Sequence, residues 1–409
     1  MLSVIVIGGG PAGMLAAGTA AEGGAKVTLL EKNEKLGKKL HITGKGRCNI
    51  TNDTDVRGLL DHVVTNSRFL NSAFYTFDSH ALMSFPAFAD VPFKTERGGR
   101  VFPQSDKADD VNQALAKWLG EVGATVRLKT EVQKILHEND SFTITTADKI
   151  YTADAVIIAT GGLSYPSTGS TGDGYAFAKK FGHTIIETAP ALVPLITAEK
   201  WVSSLEGLSL KNVCLTAKNS ETLYEETGEM LFTAKGVTGP LVLRASSYLC
   251  NALAGAKLLI DLKPALSHEQ LDARILRDFS ETKNRNFANS LDKLLPKRLI
   301  ETIISLSEIS PFTKVHTITR AQRQTLITLL KSLPLTPTAT AGFREAVITR
   351  GGVSTREINP STLMSKLQPG LFFAGELIDT DAKTGGYNLQ IAFSTGRLAG
   401  LSAIEFLER

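Results

Sequence analysis

The sequence predicts an α/β chain in which both ends of the polypeptide build one parallel sheet, interrupted by a β-rich insertion and a helical subdomain. Three observations carry this. Short, predominantly apolar runs at residues 4–7, 27–30 and 155–160 have the length and composition of strands buried on both faces. The first and last of these run directly into glycine turns. Between residues 191 and 334 the pattern changes, first to alternating segments such as the hairpin-like "ETLYEETGEMLF" and then to helical spacing, as in "SLDKLLPKRLIETII".

The chain has 409 residues, enough for two or three domains. Its 43% hydrophobic and 21% charged content is ordinary for a globular protein in water. The net charge of +4 is a weak excess. It suits an anionic cofactor or substrate but is no nucleic-acid signature, so a small-molecule substrate and no nucleic-acid partner are expected. Cys48, Cys214 and Cys250 form no C-x-x-C pair, which argues against a zinc site or a dithiol centre, and no metal is expected. Residues 1–21 carry no charged side chain but lack a basic leader and are broken by "GGGPAG", so they do not read as an export signal. No run has the length of a membrane span. The expected location is the cytoplasm, without a membrane partner; the oligomeric state stays open.

The opening stretch "VIVIGGGPAGMLAAGTAAEGGAKVTLLEK" sets strand, turn, helix and second strand in order. Gly8, Gly10 and Gly13 form the G-x-G-x-x-G fingerprint, with Pro11 and Ala12 inside it. Gly8 permits the tight turn, Gly10 lets the backbone approach a pyrophosphate, and Gly13 packs the helix on the strand. The helix N-terminus offers its dipole and N–H groups to phosphate. Glu31, 18 residues beyond Gly13, suits ribose hydroxyls and would repel a 2′-phosphate.

The fingerprint alone does not separate FAD from NAD. Two further nucleotide-facing elements do: Thr160, Gly161 and Gly162 after the strand at 155–160, and "GLFFAGELIDTDAKTGGYNLQ" near the C-terminus. Three such elements so far apart favour one extended cofactor, non-covalent FAD, in a discontinuous Rossmann-like domain.

"IGGGPAGMLAA", "LGKKLHITGKGRCNITN", "GRVFP", "ATGGLSYPSTGSTGDGYAFAKKFGH", "EMLFTAKGVTGPLVL" and "TGGYNLQIAFSTG" together resemble the bacterial YhiN/BaiN-like flavoproteins, the aminoacetone-oxidase-type family with the glutathione-reductase-type fold. The resemblance runs from end to end. With the sequence pattern it implies an FAD-binding domain at 1–190 and 335–409, an inserted β-rich substrate domain at 191–262 and a helical subdomain at 263–334. It implies cofactor contacts at Lys32, Lys39, Gly44, Gly46, Arg47, Cys48, Asn49, Val132, Asp173, Gly375, Glu376, Gly386, Tyr387, Asn388 and Leu389. The family pattern usually has a glycine where Lys45 stands.

Within "TGKGRCNITN", Gly44 and Gly46 allow close backbone approach to a flat ring. Arg47 suits a phosphate or a substrate anion, and Asn49 offers a donor and an acceptor to the polar edge of the isoalloxazine. The loop reads as a wall beside the flavin. Cys48 reads as a packed thiol in preference to a thiolate. Asp173 is expected to cap a helix, and Glu376 and Asp379 to contact the cofactor. A helix starting at Gly386, Tyr387 and Asn388 would turn its dipole toward the flavin N1–C2=O edge. Arg47, Asn49 and Tyr387 are the catalytic candidates; the seven histidines form no acid–base constellation.

The expected function is an FAD-dependent oxidoreductase exchanging a hydride between flavin N5 and a small organic substrate. The resemblance implies two activities, NAD(P)H-linked reduction of a conjugated enone (3-oxo-Δ4 steroid or bile-acid-like) or oxidation of an amine such as aminoacetone. NAD(P)H would be a diffusible co-substrate, because residues 191–334 carry no second fingerprint. A flavin-dependent RNA-modifying enzyme and a non-catalytic flavin-binding redox sensor are the readings from other classes.

Overall fold

A computed structural model of the chain describes residues 2–249 and 252–408. Cys250 lies outside them. The chain divides into two units, Met1–Ala191 with Phe343–Arg409, and Leu192–Gly342.

The first unit is built on a five-stranded sheet in the order Leu371–Phe373, Ala155–Ile158, Ser3–Ile7, Lys26–Leu30 and Thr125–Arg127. All four pairings are parallel. Val4 sits between Val27 and Ala155, and Ile7 between Leu30 and Ile158. The apolar runs at 4–7, 27–30 and 155–158 thus lie side by side, and every residue of Ala155–Ile158 is buried. A strand covered on both faces needs no polar alternation, which is why these runs are continuous. Strands Val132–Glu138, Ser141–Thr146 and Ile150–Ala153 form an antiparallel meander leading into the sheet.

Helix Pro11–Glu22 is buried from Ala12 to Ala20. Its residues are small because other elements come against its backbone. A Cβ at Gly18 would overlap the Trp118 ring of helix Ala108–Glu121. On the other side runs the last helix, Tyr387–Leu407. There a Cβ at Gly396 would overlap the carbonyl oxygen of Ala12, and one at Gly400 would crowd that of Ala16.

The second unit holds a seven-stranded sheet in the order Leu333–Leu335, Lys257–Asp261, Ser209–Asn219, Glu221–Thr233, Gly236–Thr238, Leu195–Thr197 and Pro337–Thr340. The two edge strands are consecutive in sequence, with Thr336 alone between them. The sheet is therefore rolled until its edges almost meet. Helices Pro240–Leu249, His268–Glu281, Lys297–Leu306 and Arg320–Lys331 share one apolar core with it, including Leu215, Phe232, Ile275, Ile303 and Leu326.

Three details depart from the sequence reading. The hairpin expected inside "ETLYEETGEMLF" is one strand, Glu221–Thr233, and the turn falls at Ser220, whose φ is 60°. The helix expected over "SLDKLLPKRLIETII" begins only at Lys297, because Pro296 cannot continue a helix behind it. Strand Pro337–Thr340 pairs with Leu195–Thr197, so the chain leaves the second unit at Gly342, later than residue 334.

The packing at Gly396 sets two effects against each other. Gly396→Ala gains about 0.8–1 kcal/mol of helix propensity but pushes a methyl into a backbone carbonyl, and overpacking costs about 1–3 kcal/mol. Net destabilisation is expected in urea unfolding. A stabilised variant would show that the two helices do not approach this closely.

Candidate functional site

The first turn is shaped by the chain itself at two of its three fingerprint glycines. Gly8 has φ 105°, and a Cβ there would run into the carbonyl of Ala159. A Cβ at Gly13 would overlap the carbonyl oxygen of Gly8. Gly10 differs: a Cβ there would meet nothing within 4 Å. No contact within the protein requires glycine at that point, so the open space above the turn fits a ligand that must come close to the backbone. Pro11 occupies the first helical position and no side chain caps the helix, the arrangement that suits an anion.

Glu31 closes the turn from the end of the second strand. Its carboxylate is buried and accepts hydrogen bonds from the Gly9 amide (2.6 Å), the Asn33 amide (2.7 Å) and Asn33 Nδ2 (2.7 Å). Thr130 donates its amide to the Glu31 carbonyl (2.9 Å), which sets the entry to the strand starting at buried Val132 beside it.

Two lysines then tie distant segments together. Lys32 Nζ reaches Asp173 Oδ2 and Thr171 Oγ1, each at 2.5 Å. Lys39 Nζ reaches Ser164 Oγ (2.5 Å) and Glu376 Oε2 (2.6 Å). The other oxygen of Glu376 accepts from Ser164 Oγ (2.7 Å) and the Thr349 amide (2.8 Å). Asp173 does not cap its helix. It is the first residue of Asp173–Lys180, and Gly172 stands at the cap with φ 84°, a conformation an aspartate adopts at a cost. Gly161 has φ 74°, a Cβ at Gly162 would strike the Thr349 side chain, and Thr160 Oγ1 is buried without a partner. Gly375 donates its amide to Thr395 Oγ1 of the last helix (2.9 Å).

In "TGKGRCN" four residues lie in the left-handed region: Gly44 (φ 57°), Lys45 (60°), Gly46 (84°) and Cys48 (59°). Lys45 therefore occupies a position whose backbone suits glycine, at a cost of about 1–2 kcal/mol for a side chain. Cys48 is fully buried, and burial pushes its thiol up to about 12. It is a packed thiol at neutral pH. Arg47 stacks on Phe102 (4.1 Å to the ring centre) and pairs with Glu96 and with Asp106 (2.6 Å). Its guanidinium is committed to these carboxylates, which raise its affinity for its proton. Asn49 Oδ1 is buried with no hydrogen-bond partner.

The last helix starts where expected, at Tyr387 behind Gly386 (φ 100°). A Cβ at Gly386 would overlap the Thr51 backbone, so this turn lies against the strand that follows the loop. Tyr387 stacks on His62 (4.3 Å, 9°), and burial pushes its hydroxyl up to about 12. Asn388 brackets Ala382, accepting its amide (2.9 Å) and donating to its carbonyl (2.7 Å). Leu389 packs against the core. The orphaned oxygens of Thr160 and Asn49, with the open space at Gly10, fit a long polar cofactor such as FAD.

Several residues of this region escaped the sequence reading. Gln390 is fully buried and links Thr51 (2.5 Å), Ser394 (2.8 Å) and the Phe77 carbonyl (2.9 Å). Asn66 donates to both the carbonyl (2.7 Å) and the carboxylate (2.9 Å) of Asp379. Asp381 is buried, with the Thr65 hydroxyl and the charge of Arg350 acting on its carboxylate but no amide donor on it among the described residues. Burial raises the carboxyls of both Asp379 and Asp381 above the usual range. A lone acidic or amide side chain carries no sequence signal for partners so far away in the chain.

A model for the HI0933-like protein Rossmann domain matches residues 2–402. The chain is 33% identical over 405 residues to the 3-dehydro-bile acid delta(4,6)-reductase of Clostridium scindens, covering 98% of each chain. It is 31% identical over 394 residues to the ribosomal RNA dihydrouridine synthase of Escherichia coli, covering 96% of this chain and 95% of that one. Among solved structures it resembles the 3-ketosteroid-delta4-(5alpha)-dehydrogenase of Rhodococcus jostii RHA1, with a TM-score of 0.54, 16% identity and coverage of 98% and 97%; this likeness is one of fold. No helix among the described residues is long and apolar enough to cross a membrane.

Two predictions follow from this geometry. Glu31→Ala removes an acceptor of three hydrogen bonds at the turn, and a charge-assisted bond is worth about 1.5–3 kcal/mol. FAD affinity should fall about tenfold or more in titrations of the deflavinated protein; unchanged affinity would take Glu31 out of the site. For Asp381 the sign runs through linkage. A carboxyl whose folded pKa is raised holds its proton longer in the native state, so stability is lost as pH rises from the unfolded value through the folded one. Asp381→Asn should raise the melting temperature of the cofactor-free protein more at pH 8 than at pH 4. An equal shift at both pH values would contradict a carboxyl held above its usual range by burial.

The fingerprint turn, its buried acid and the full-length match agree, and the chain belongs to the HI0933-like family and is an FAD-dependent oxidoreductase.

Proposed function

We propose that this protein reduces a carbon–carbon double bond conjugated to a carbonyl group. One observation carries the proposal: two relatives at similar distance, both matched over nearly their whole length, are named for such reductions on unlike substrates. A 3-dehydro-bile acid with a double bond at position 4 is an enone. Dihydrouridine is uridine saturated at the ring double bond conjugated to its 4-carbonyl. The shared part is the reaction, and the substrates differ.

The bound cofactor would supply the two-electron step, a hydride exchanged at N5. The chain's own residues would bind and orient. The Gly8–Gly13 turn receives the pyrophosphate, Glu31 the ribose hydroxyls, and the Asn49 amide and the helix start at Gly386 the polar edge of the flavin. Tyr387 keeps its proton at neutral pH and, beside His62, is the nearest candidate for positioning a substrate carbonyl. NAD(P)H would reach the flavin as a diffusible reductant and leave before the alkene enters, because residues 191–334 hold no second fingerprint.

A small enone is the first reading of the substrate. Uridine in RNA is the second, favoured by relatives at 31% and 30% identity that carry that name. The test is anaerobic stopped-flow on the FAD-loaded protein. NADH or NADPH should reduce the flavin, and a 3-oxo-Δ4 steroid or a uridine-containing ribosomal RNA fragment should reoxidise it by two electrons. Reduction of the flavin by aminoacetone, with neither alkene able to reoxidise it, would overturn the proposal in favour of amine oxidation.

A further inference from the structure

The net charge of +4 is not spread along the chain. Residues 192–342 contain 18 Lys and Arg against 14 Asp and Glu, so the whole excess belongs to the second unit and the first is balanced. Segments 282–291 and 309–320 are among the stretches of that unit free of acidic residues, as are 207–220, 230–260 and 321–342. The first two are zipped together in the fold. Asn286 bridges Lys314, the Val315 amide donates to the Arg285 carbonyl (3.1 Å), and the Phe287 amide donates to the Thr313 carbonyl (2.8 Å). His316 Nδ1 contacts the Lys283 carbonyl (2.8 Å).

This zipper places the exposed residues Lys283, Arg285, Lys314 and His316 on two hydrogen-bonded strips, with Arg320 continuing the same acid-free stretch. Among the described residues none of these five side chains pairs with a carboxylate; the Lys314 ammonium donates to the Asn284 carbonyl (3.0 Å). Of the flanking acids, Glu281 is taken by Lys293 (2.7 Å), while Asp292 and Glu308 stand at the margins. Two residues before Lys314 stands Phe312, 77% exposed, on the strip whose Pro311 carbonyl accepts the Ala288 amide (3.0 Å). An aromatic ring left in water costs free energy that nothing in the second unit's core recovers. Basic side chains around an open ring are what an unpaired RNA segment uses: cations for its phosphates and a flat face for a base.

We propose that residues 282–291 and 309–320 form a docking face for RNA, with Lys283, Arg285 and Lys314 on phosphates and Phe312 under an unpaired base. The choice of RNA as the anion rests on the conjugated-alkene reading above, in which uridine is one acceptor. The charge of the whole chain argued against nucleic acid only because it averages a balanced unit with a basic one.

The test is fluorescence anisotropy with the full-length, FAD-loaded protein and a labelled stem-loop of ribosomal RNA sequence with uridines in its loop. Wild type is compared with Lys283→Glu/Arg285→Glu/Lys314→Glu and with Phe312→Ala at several salt concentrations. The triple variant should bind at least about tenfold more weakly, and its salt slope should flatten by about two, near 0.7 per lost phosphate contact. Phe312→Ala should lose about fivefold or more on the looped RNA and little on a fully paired duplex. The Gln versions of the three basic residues carry the test should charge reversal disturb folding. RNA binding equal in wild type and variants would overturn the proposal, as would binding to phosphatidylserine vesicles without binding to RNA. Enone turnover is read in parallel. A protein that docks RNA on this face yet reduces no conjugated alkene would sink the reaction proposed above and leave the docking face standing.

Discussion

Everything in the first unit depends on how closely its first and last helices approach. Helix Pro11–Glu22 and helix Tyr387–Leu407 meet backbone to side-chain-free backbone at Gly396 and Gly400. Dispersion gains at such short range offset the weak propensity of glycine within a helix. This contact brings the far end of the chain to the first turn. It carries Gly375 onto Ala12, Glu376 onto Lys39, and Gly386 onto the backbone of Thr51. The candidate site, drawn from residues 8–13, 31–49 and 375–389, comes together because those helices can touch.

Charge is then used locally. Glu31 takes two amides and a side-chain amide, so a buried carboxylate is held by three donors without a cation. Lys32 and Lys39 each bind one acid and one hydroxyl across the chain. Asp381 is the exception, a buried carboxylate without such donors, and it is held closer to its neutral form. Among the buried polar groups left short of partners are Asn49, Thr65, Thr160, Tyr175, Thr380 and Asp381 in the first unit, with others, such as Asn112 and Thr197, elsewhere. A native interior seldom leaves so many polar atoms unmatched unless a ligand or ordered water meets them.

Much of this was legible in the sequence where chemistry is local. Continuous apolar runs gave the parallel strands, the fingerprint with Glu31 gave the turn, and Gly386 marked the start of the last helix. Long-range pairings were not legible. Arg47 reads as an anion binder on its own, yet its partners Glu96 and Asp106 lie 49 and 59 residues further on. The hairpin was misplaced because "EETG" looks like a turn, while Gly228 in fact lies in a strand under Leu241. Pro296 stands inside an apolar run of helical spacing, and the helix forms only behind it, from Lys297. The unusual glycine-to-lysine exchange at 45 becomes intelligible only once its positive φ is known.

The central claim is that one cofactor is held by both ends of the chain at once. Hydrogen–deuterium exchange on the deflavinated and FAD-loaded protein tests it most directly. Loading should slow exchange together in residues 8–13, 44–49 and 375–389. Protection confined to residues 8–31, with the C-terminal segment unchanged, would contradict it.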